Sequence, residues 1–430
     1  MAYSFELVCD RRKYLTTCFE AFLYGGFIGS LYYGEVIERR GRRYAVLESL
    51  MMMVAGLGVS LLSGSAWLFS MGVFFFNAGF RGFYNASLLS ITEVTNRVMR
   101  ATTPMTLSIG WAMGQIVIGL LSMVLMNWRL IFFLTLLPLA GLLYYINIHL
   151  LDSPRFLVTK HKFKEAKMAV ERMALANEKR PVGCLLKEQL EYEEKMDSYE
   201  KVLQGGNISS RQVHHSYASL FKYDSIRIRV IIVSLIWSLI SLSYFISVKG
   251  QLNPHRSYAF NVSLAGFIEI LAYLAAILTS VNFGRVLVIR RLLLFAALAH
   301  LCFYFVQPHQ RYTGIGKVAI LLLEILVRIL MAFGNTFLAI YSIELFPTSI
   351  RHFALGMLGF ITKLTYMLSF VFDSFFAERY IHPNFILGVL FLATLPFTAK
   401  LRETQEYGFK DNLSEDGNNL LMNETVAEIF

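Results

Sequence analysis

Long apolar stretches broken by short clusters of charge set the rhythm of this chain. Mainly apolar runs occupy 14–34, 44–63, 66–92, 102–125, 129–150, 227–247, 260–281, 287–306, 315–341, 353–373 and 383–400. A helix needs roughly 20 such residues to cross the hydrocarbon core of a bilayer. The pattern therefore predicts an all-α polytopic membrane protein with about eleven spans. Between the fifth and sixth runs lies a polar segment, Leu151 to Ile226, whose "EQLEYEEKMDSYEKVL" reads as a water-exposed, partly helical loop. Beyond Leu401 the tail turns polar and Asn-rich, the composition of a flexible terminus.

Composition agrees with the pattern. Of 430 residues, 56% are hydrophobic and 16% charged, too little polar surface for a soluble chain of this length. The formal charge of +10 would suit a nucleic-acid binder if the basic residues formed a stripe. They are scattered between apolar runs instead, as the positive-inside rule expects, so no nucleic-acid partner is assigned. Arg39, Arg40, Arg42, Arg43, Arg97, Arg100, Arg285, Arg290, Arg291 and Arg351 fall on the same side as the polar segment. Lys249, Arg256, Arg311 and Arg379 fall on the other. The first side is expected to be cytoplasmic, with the N-terminus outside and the tail inside. Arg11, Arg12 and Lys13 contradict that rule, because they precede the first span on the outer side. The first apolar run is too long for the core of a secretory signal. Cys9, Cys18, Cys184 and Cys302 show no metal-ligand spacing. There is also no phosphate-binding loop to couple nucleotide hydrolysis and no nucleophile–base constellation, so neither an enzyme nor a cofactor is expected.

The stretch "GEVIERRGRR", Gly34 to Arg43, packs four arginines and two glutamates between two apolar runs. Its Gly34-x-x-x-Glu38-Arg39-x-Gly41-Arg42-Arg43 spacing resembles the G-x-x-x-D-R-x-G-R-R loop of the major facilitator superfamily, with Glu38 in place of Asp. Gly34 would let a neighbour approach closely. Glu38 would pair with a basic side chain or face a helix N-terminus, and Gly41 would allow the turn. Such a loop can serve merely as a positive anchor, or as a latch that forms when two helical bundles close. "LDSPRFL" around Arg155 and "YSIELFPTSIRHFALGM" around Glu344 and Arg351 resemble segments of the organic cation, organic anion and carnitine transporters of that superfamily. "NWRLIFF" and "GFIEILAY" fit as well, so the resemblance runs from Ser4 to about Leu401. It implies an N-terminal bundle in 1–150, a cytoplasmic central loop in 151–226, a C-terminal bundle in 227–405 and a cytoplasmic tail in 406–430.

An internal echo points to two bundles without appeal to family. "EVTNRVMR" and "ELFPTSIR" each set Glu and Arg seven residues apart at the inner end of a span, as Glu93 with Arg100 and Glu344 with Arg351. Together with Arg97, these residues could exchange partners as the bundles rock.

Charge inside a span is costly, about 2.5–3.5 kcal/mol near the centre on insertion scales, so each case is a site candidate. Lys363 in "GMLGFITKLTYMLSF" is the first. The resemblance places it where cation-selective members tend to carry Asp and anion or carnitine members Arg. Glu269 is the second, with an ammonium, Lys363 or a structural neighbour as possible partners. Trp237, Ser241 and Tyr244 match the family's W-x-x-x-S-x-x-Y pattern, and Tyr273 stands where some anion carriers have Lys. Arg81 and Arg328 also lie in apolar runs and are left to the charge relay.

The expected activity is transport of small organic anions or carnitine-like zwitterions by alternating access, at the plasma membrane, with the coupling ion open. An organic cation carrier using Glu269 is the alternative. Family members normally have twelve spans, and "SFELVCD" resembles the end of their large extracellular loop. A first helix and most of that loop are therefore expected to be absent, which keeps a third reading in play, a non-transporting membrane scaffold.

Overall fold

The computed structural model describes residues 5, 13–95, 99, 102, 105–125, 127–160, 162–176, 216–222, 224–250, 257–306, 314–347, 350–377 and 382–404. Eleven long helices match the expected runs: α1 Lys13–Arg40, α2 Arg42–Leu61, α3 Ala66–Val94, α4 Met105–Val124, α5 Trp128–His149, α6 Asp224–Gly250, α7 Tyr258–Asn282, α8 Arg285–Val306, α9 Gly314–Leu345, α10 Arg351–Ala377 and α11 Pro383–Thr394. A 3₁₀ turn, Leu395–Lys400, extends α11. Short helices Pro154–Thr159, Phe163–Ala176 and Ser219–Lys222 lie in the central polar segment. "EQLEYEEKMDSYEKVL", Arg97 and Arg100 lie outside the described residues.

Among the described residues, seven helices are long and apolar enough on their own to cross a membrane. The other four long helices, α1, α3, α9 and α10, run for 28, 29, 32 and 27 residues. They carry in-span or end charges, including Glu38, Arg81, Glu93, Arg328, Glu344 and Lys363.

Local chemistry sets the breaks. Ser65 caps α3 by accepting from the Leu68 amide at 3.3 Å, and Asn127 caps α5 by accepting from Arg129 N at 3.0 Å. Pro154 and Pro383 start their helices, where a missing amide proton has no consequence. Between α1 and α2 stands Gly41 alone, at φ +93°, a conformation that favours glycine.

Two apolar cores form. Tyr33, Ile37, Val46, Leu50, Ala86 and Leu89 of α1–α3, joined by Ala339, Ile343 and Leu355 of α9 and α10, make one, and residues of α6, α8, α9, α10 and α11, among them Val233, Ile289, Met331 and Leu387, make the larger. Helix α1 lies flush on α3, since a Cβ on Gly25 would stand 2.1 Å from the Phe74 carbonyl and one on Gly29 2.5 Å from that of Ala78. The halves meet where α1 packs along α10 and α4 along α7.

Candidate substrate site and inner gate

At one end of the first half, the Gly34–Arg43 motif is taken up by separate partners. Arg42 does not stay at the surface. Its Nη2 and Nε donate to Glu93 Oε1 at 2.8 and 3.2 Å, with both side chains buried. The guanidinium also lies 4.3 Å from the Phe156 ring. Arg43 N, near the start of α2, donates to Asp152 Oδ1 at 3.2 Å, so a distant carboxylate satisfies an open helix end. Glu38 accepts from Lys160 Nζ at 2.8 Å, and its other oxygen lies 3.2 Å from His352 Nε2 in the first turn of α10. That second contact joins the two halves. Arg39 makes an exposed pair with Glu35 on its own helix, and Arg155 sits half-buried in the short helix after Asp152.

The second half repeats the arrangement. Arg285, first residue of α8, donates to Glu344 at 3.1 and 3.3 Å, as Arg42 does to Glu93. Glu403 accepts from the amides of Arg285 and Val286 at 2.7 and 3.1 Å, as Asp152 does from Arg43. Thr404 Oγ1 adds a bond to Glu344 at 2.7 Å. The two glutamates of the internal echo thus occupy matching places at the same end of the molecule. Their described partners are Arg42 and Arg285, each within its own half, and Arg351 instead donates from Nε to the Phe346 carbonyl at 3.1 Å.

A residue of the central segment closes the seam between halves. The Tyr217 hydroxyl donates to the Leu31 carbonyl at 2.6 Å, and its ring packs edge-on to Phe353 at 4.9 Å. It enters between two glycines: a Cβ would come within 2.1 Å of that hydroxyl from Gly34 and 2.5 Å from Gly356. Gly34 therefore serves close approach, as the motif suggested, with Tyr217 and the His352 backbone as its neighbours.

At mid-depth lies a second charged cluster. Glu269 of α7 is fully buried and receives Arg328 of α9 through Nε at 2.8 Å and Nη2 at 2.5 Å. The Tyr244 hydroxyl donates to the same oxygen at 2.8 Å. Gln115 of α4 and the Tyr273 hydroxyl donate to the other at 2.8 and 3.1 Å. Glu269 is therefore paired with Arg328 rather than with Lys363. Lys363 of α10 is buried at 7% exposure, and its ammonium faces the rings of Phe22 and Tyr366 at 5.4 and 5.2 Å. No carboxylate among the described residues pairs with it. Trp237 donates to Ser342 Oγ at 3.2 Å, while Ser241 Oγ is buried with no hydrogen-bond partner among the described residues. Beyond Lys363, Phe19 of α1 reaches Phe245 of α6 at 6.1 Å, and Phe245 stacks on Tyr366 at 5.1 Å.

Two helical halves with a buried charged centre between them and matched ion pairs at one end are the frame of a carrier, and the comparisons agree. The model of the sugar (and other) transporter family matches residues 6–410. This chain belongs to that family. Among curated members, human solute carrier family 22 member 13 is 24% identical over 413 residues, covering 96% of this chain and 70% of that protein. Mouse organic cation/carnitine transporter 2 is 24% identical over 415 residues, covering 95% and 70%. Human solute carrier family 22 member 16 is 26% identical, and the chain spans 66% of its length. The fold is that of the major facilitator superfamily. The proton:xylose symporter XylE bound to 6-bromo-6-deoxy-D-glucose superposes with TM-score 0.72 at 16% identity, covering 92% of this chain and 87% of that one. The inward-open form of XylE from E. coli gives 0.61. The protein is a multi-pass membrane transporter of this family, related to the organic ion and carnitine carriers, and not an enzyme.

Within this transporter frame, sequence reasoning found the charged positions and missed several of their partners. Arg328 and Gln115 around Glu269, Asp152 and Glu403 at the helix ends, and Tyr217 at the seam were not anticipated. Arg328 had a signal, being a second charge in an apolar run that needs a counterion. Tyr217 had none, since one tyrosine in a polar segment resembles any other.

Proposed function

We propose that this chain moves small organic anions, and zwitterions carrying a carboxylate, across the plasma membrane by alternating access. The observation that carries the reading is Lys363, a buried cation held between the halves with aromatic rings on it and no carboxylate among the described residues. A buried charge without a partner is expensive unless something neutralises it. An incoming carboxylate does so, and an ammonium worsens it. In a carnitine-like zwitterion the carboxylate goes to Lys363, and the quaternary group goes to Phe245, a ring that Lys363 does not face. Glu269, on which an organic cation reading would rest, is already engaged by Arg328, two tyrosines and Gln115.

The moving bodies are the helices of 1–150 and 227–405, joined by the central loop. Glu38–His352 and the Tyr217 wedge hold their inner ends together. Arg42–Glu93 and Arg285–Glu344 lie within each half and keep it rigid as it swings.

Uptake of labelled monocarboxylate, carnitine and tetraethylammonium into proteoliposomes holding the full chain tests the reading. Saturable anion or carnitine uptake that Lys363→Asp abolishes is expected. Cation uptake insensitive to Lys363 but lost in Glu269→Gln would replace it with the cation carrier. Correct insertion without any uptake would favour the scaffold.

A further inference from the structure

Where α1 runs between α3 and α10, a neutral side chain is buried beside the cation of Lys363. Asn77 of α3 is fully buried, and its Nδ2 donates to the Phe22 carbonyl of α1 at 2.5 Å. A carbonyl only accepts, so the NH₂ end of this amide must face Phe22 and the Oδ1 end must point elsewhere. Oδ1 is buried with no hydrogen-bond partner among the described residues. Buried acceptors are rarely left in that state, and a bare one calls for an explanation.

Uncovered backbone on α1 brings Asn77 and Lys363 together. A Cβ on Gly26 would stand 2.5 Å from Asn77 Nδ2 and 2.9 Å from Lys363 Cε, so both side chains end over the same turn of α1. Phe22, one turn before Gly26, serves both: its carbonyl fixes the amide, and its ring lies 5.4 Å from the ammonium. Asn77 comes from the first half and Lys363 from the second. A molecule that reaches both therefore ties the halves to each other. The donor that suits Oδ1 is a neutral one. An ammonium would be repelled by Lys363 and by Arg81, one turn along α3 from Asn77. A carboxylate offers no donor. A hydroxyl on a molecule whose carboxylate sits on Lys363 meets both demands.

We propose that Asn77 determines specificity by accepting, at Oδ1, a hydroxyl that the substrate carries close to the carboxylate held by Lys363. This rests on the anion reading above and adds to it a second anchor of different chemistry. Because its other end is tied to Phe22, the amide cannot turn its NH₂ toward the substrate, so the position demands a donor. A deoxy acid of the same length seals the carbonyl in without one. A site built to hydrogen-bond a hydroxyl rejects the analogue that lacks it, since its own buried group is then left unpaired. The hydroxy acid bridges Lys363 and Asn77, so its loading favours closure of the two halves around it.

The test is equilibrium binding of labelled 3-hydroxybutyrate and labelled butyrate to the full chain in proteoliposomes. The two acids have the same carbon count and charge and differ by one hydroxyl. The wild type is expected to bind 3-hydroxybutyrate about tenfold more tightly or better. Asn77→Leu should bring 3-hydroxybutyrate to within about threefold of butyrate while leaving butyrate within about threefold of its wild-type value; Lys363→Gln weakens both. A merely structural role for Asn77 would lower the two acids alike and leave their ratio unchanged. Should Asn77→Leu fail to insert, Asn77→Ala removes the acceptor without adding bulk and is read in the same way. Equal binding of the two acids by the wild type, or a preference that survives loss of the amide, overturns the hydroxyl site and leaves the anion carrier standing. Binding of neither acid, with uptake of tetraethylammonium, overturns both.

Discussion

The Glu269–Arg328 pair gives the prediction with the most physical content. Replacing Glu269 by Gln leaves the Arg328 guanidinium buried, where it now holds a pair at 2.5 Å. Removing one partner of such a pair costs about 3–5 kcal/mol, because the other charge stays desolvated. Three neutral donors, Gln115, Tyr244 and Tyr273, also lose the carboxylate they point at. Arg328→Met leaves the carboxylate with those three donors, so its cost should fall at the lower end of the range. The double variant Glu269→Gln/Arg328→Met removes both charges, and a buried pair replaced as a unit is often close to neutral. A double-mutant cycle should then show a coupling of about 2 kcal/mol or more. Tryptophan emission during denaturation of the full chain in mixed micelles measures it, with uptake assayed in parallel. Single variants that are only mildly destabilised and strictly additive would refute the reasoning. So would a Glu269→Gln chain as stable as wild type that has lost transport alone, since that would make Glu269 a substrate ligand.

Further expectations follow from the end of the bundle that carries the matched ion pairs. Gly34→Val must evict the Tyr217 hydroxyl, which a Cβ would approach to 2.1 Å, so uptake should fall about tenfold; Tyr217→Ala in the same chain should recover part of it, and no recovery would sink the wedge. Arg42→Ala strands the buried Glu93 carboxylate and should cost about 3–5 kcal/mol in the same denaturation assay, with Arg42→Ala/Glu93→Ala milder than the single change. Glu403→Ala uncaps α8 and should cost about 1 kcal/mol, read as faster exchange of the Arg285 and Val286 amides, whereas unchanged exchange would deny the cap.

Much of this architecture can be read along the chain because lipid imposes a coarse, repetitive rule: about 20 apolar residues, then charge. Helix positions follow from that rule. α1 still runs on to Arg40, past its apolar run, because Glu35, Arg39 and Arg40 prolong the helix into water. Glu93 and Glu344 were legible as a repeated pair, since a duplicated fold leaves its charges at matching depths. Their partners were not. Arg42 and Arg285 lie 51 and 59 residues away, and the nearer arginines in sequence offered an easier pairing. At the centre, Glu269 and Lys363 were each visible as a charge out of place. Only three-dimensional packing gives Glu269 to Arg328 and leaves Lys363 facing Phe22 and Tyr366, because side-chain neighbours between helices depend on rotation about each helix axis. The reach of Asp152 and Glu403 to distant helix ends is hidden for a similar reason, since both belong to segments that fold back under the bundle.

The account depends most on an uncompensated cation at Lys363 choosing the sign of the cargo. Uptake of a labelled organic anion and a labelled quaternary ammonium by proteoliposomes of the full chain, wild type against Lys363→Asp, tests this directly. The prediction is anion uptake in the wild type that the substitution abolishes, with insertion unchanged. Anion uptake that survives a carboxylate at that position would contradict the account.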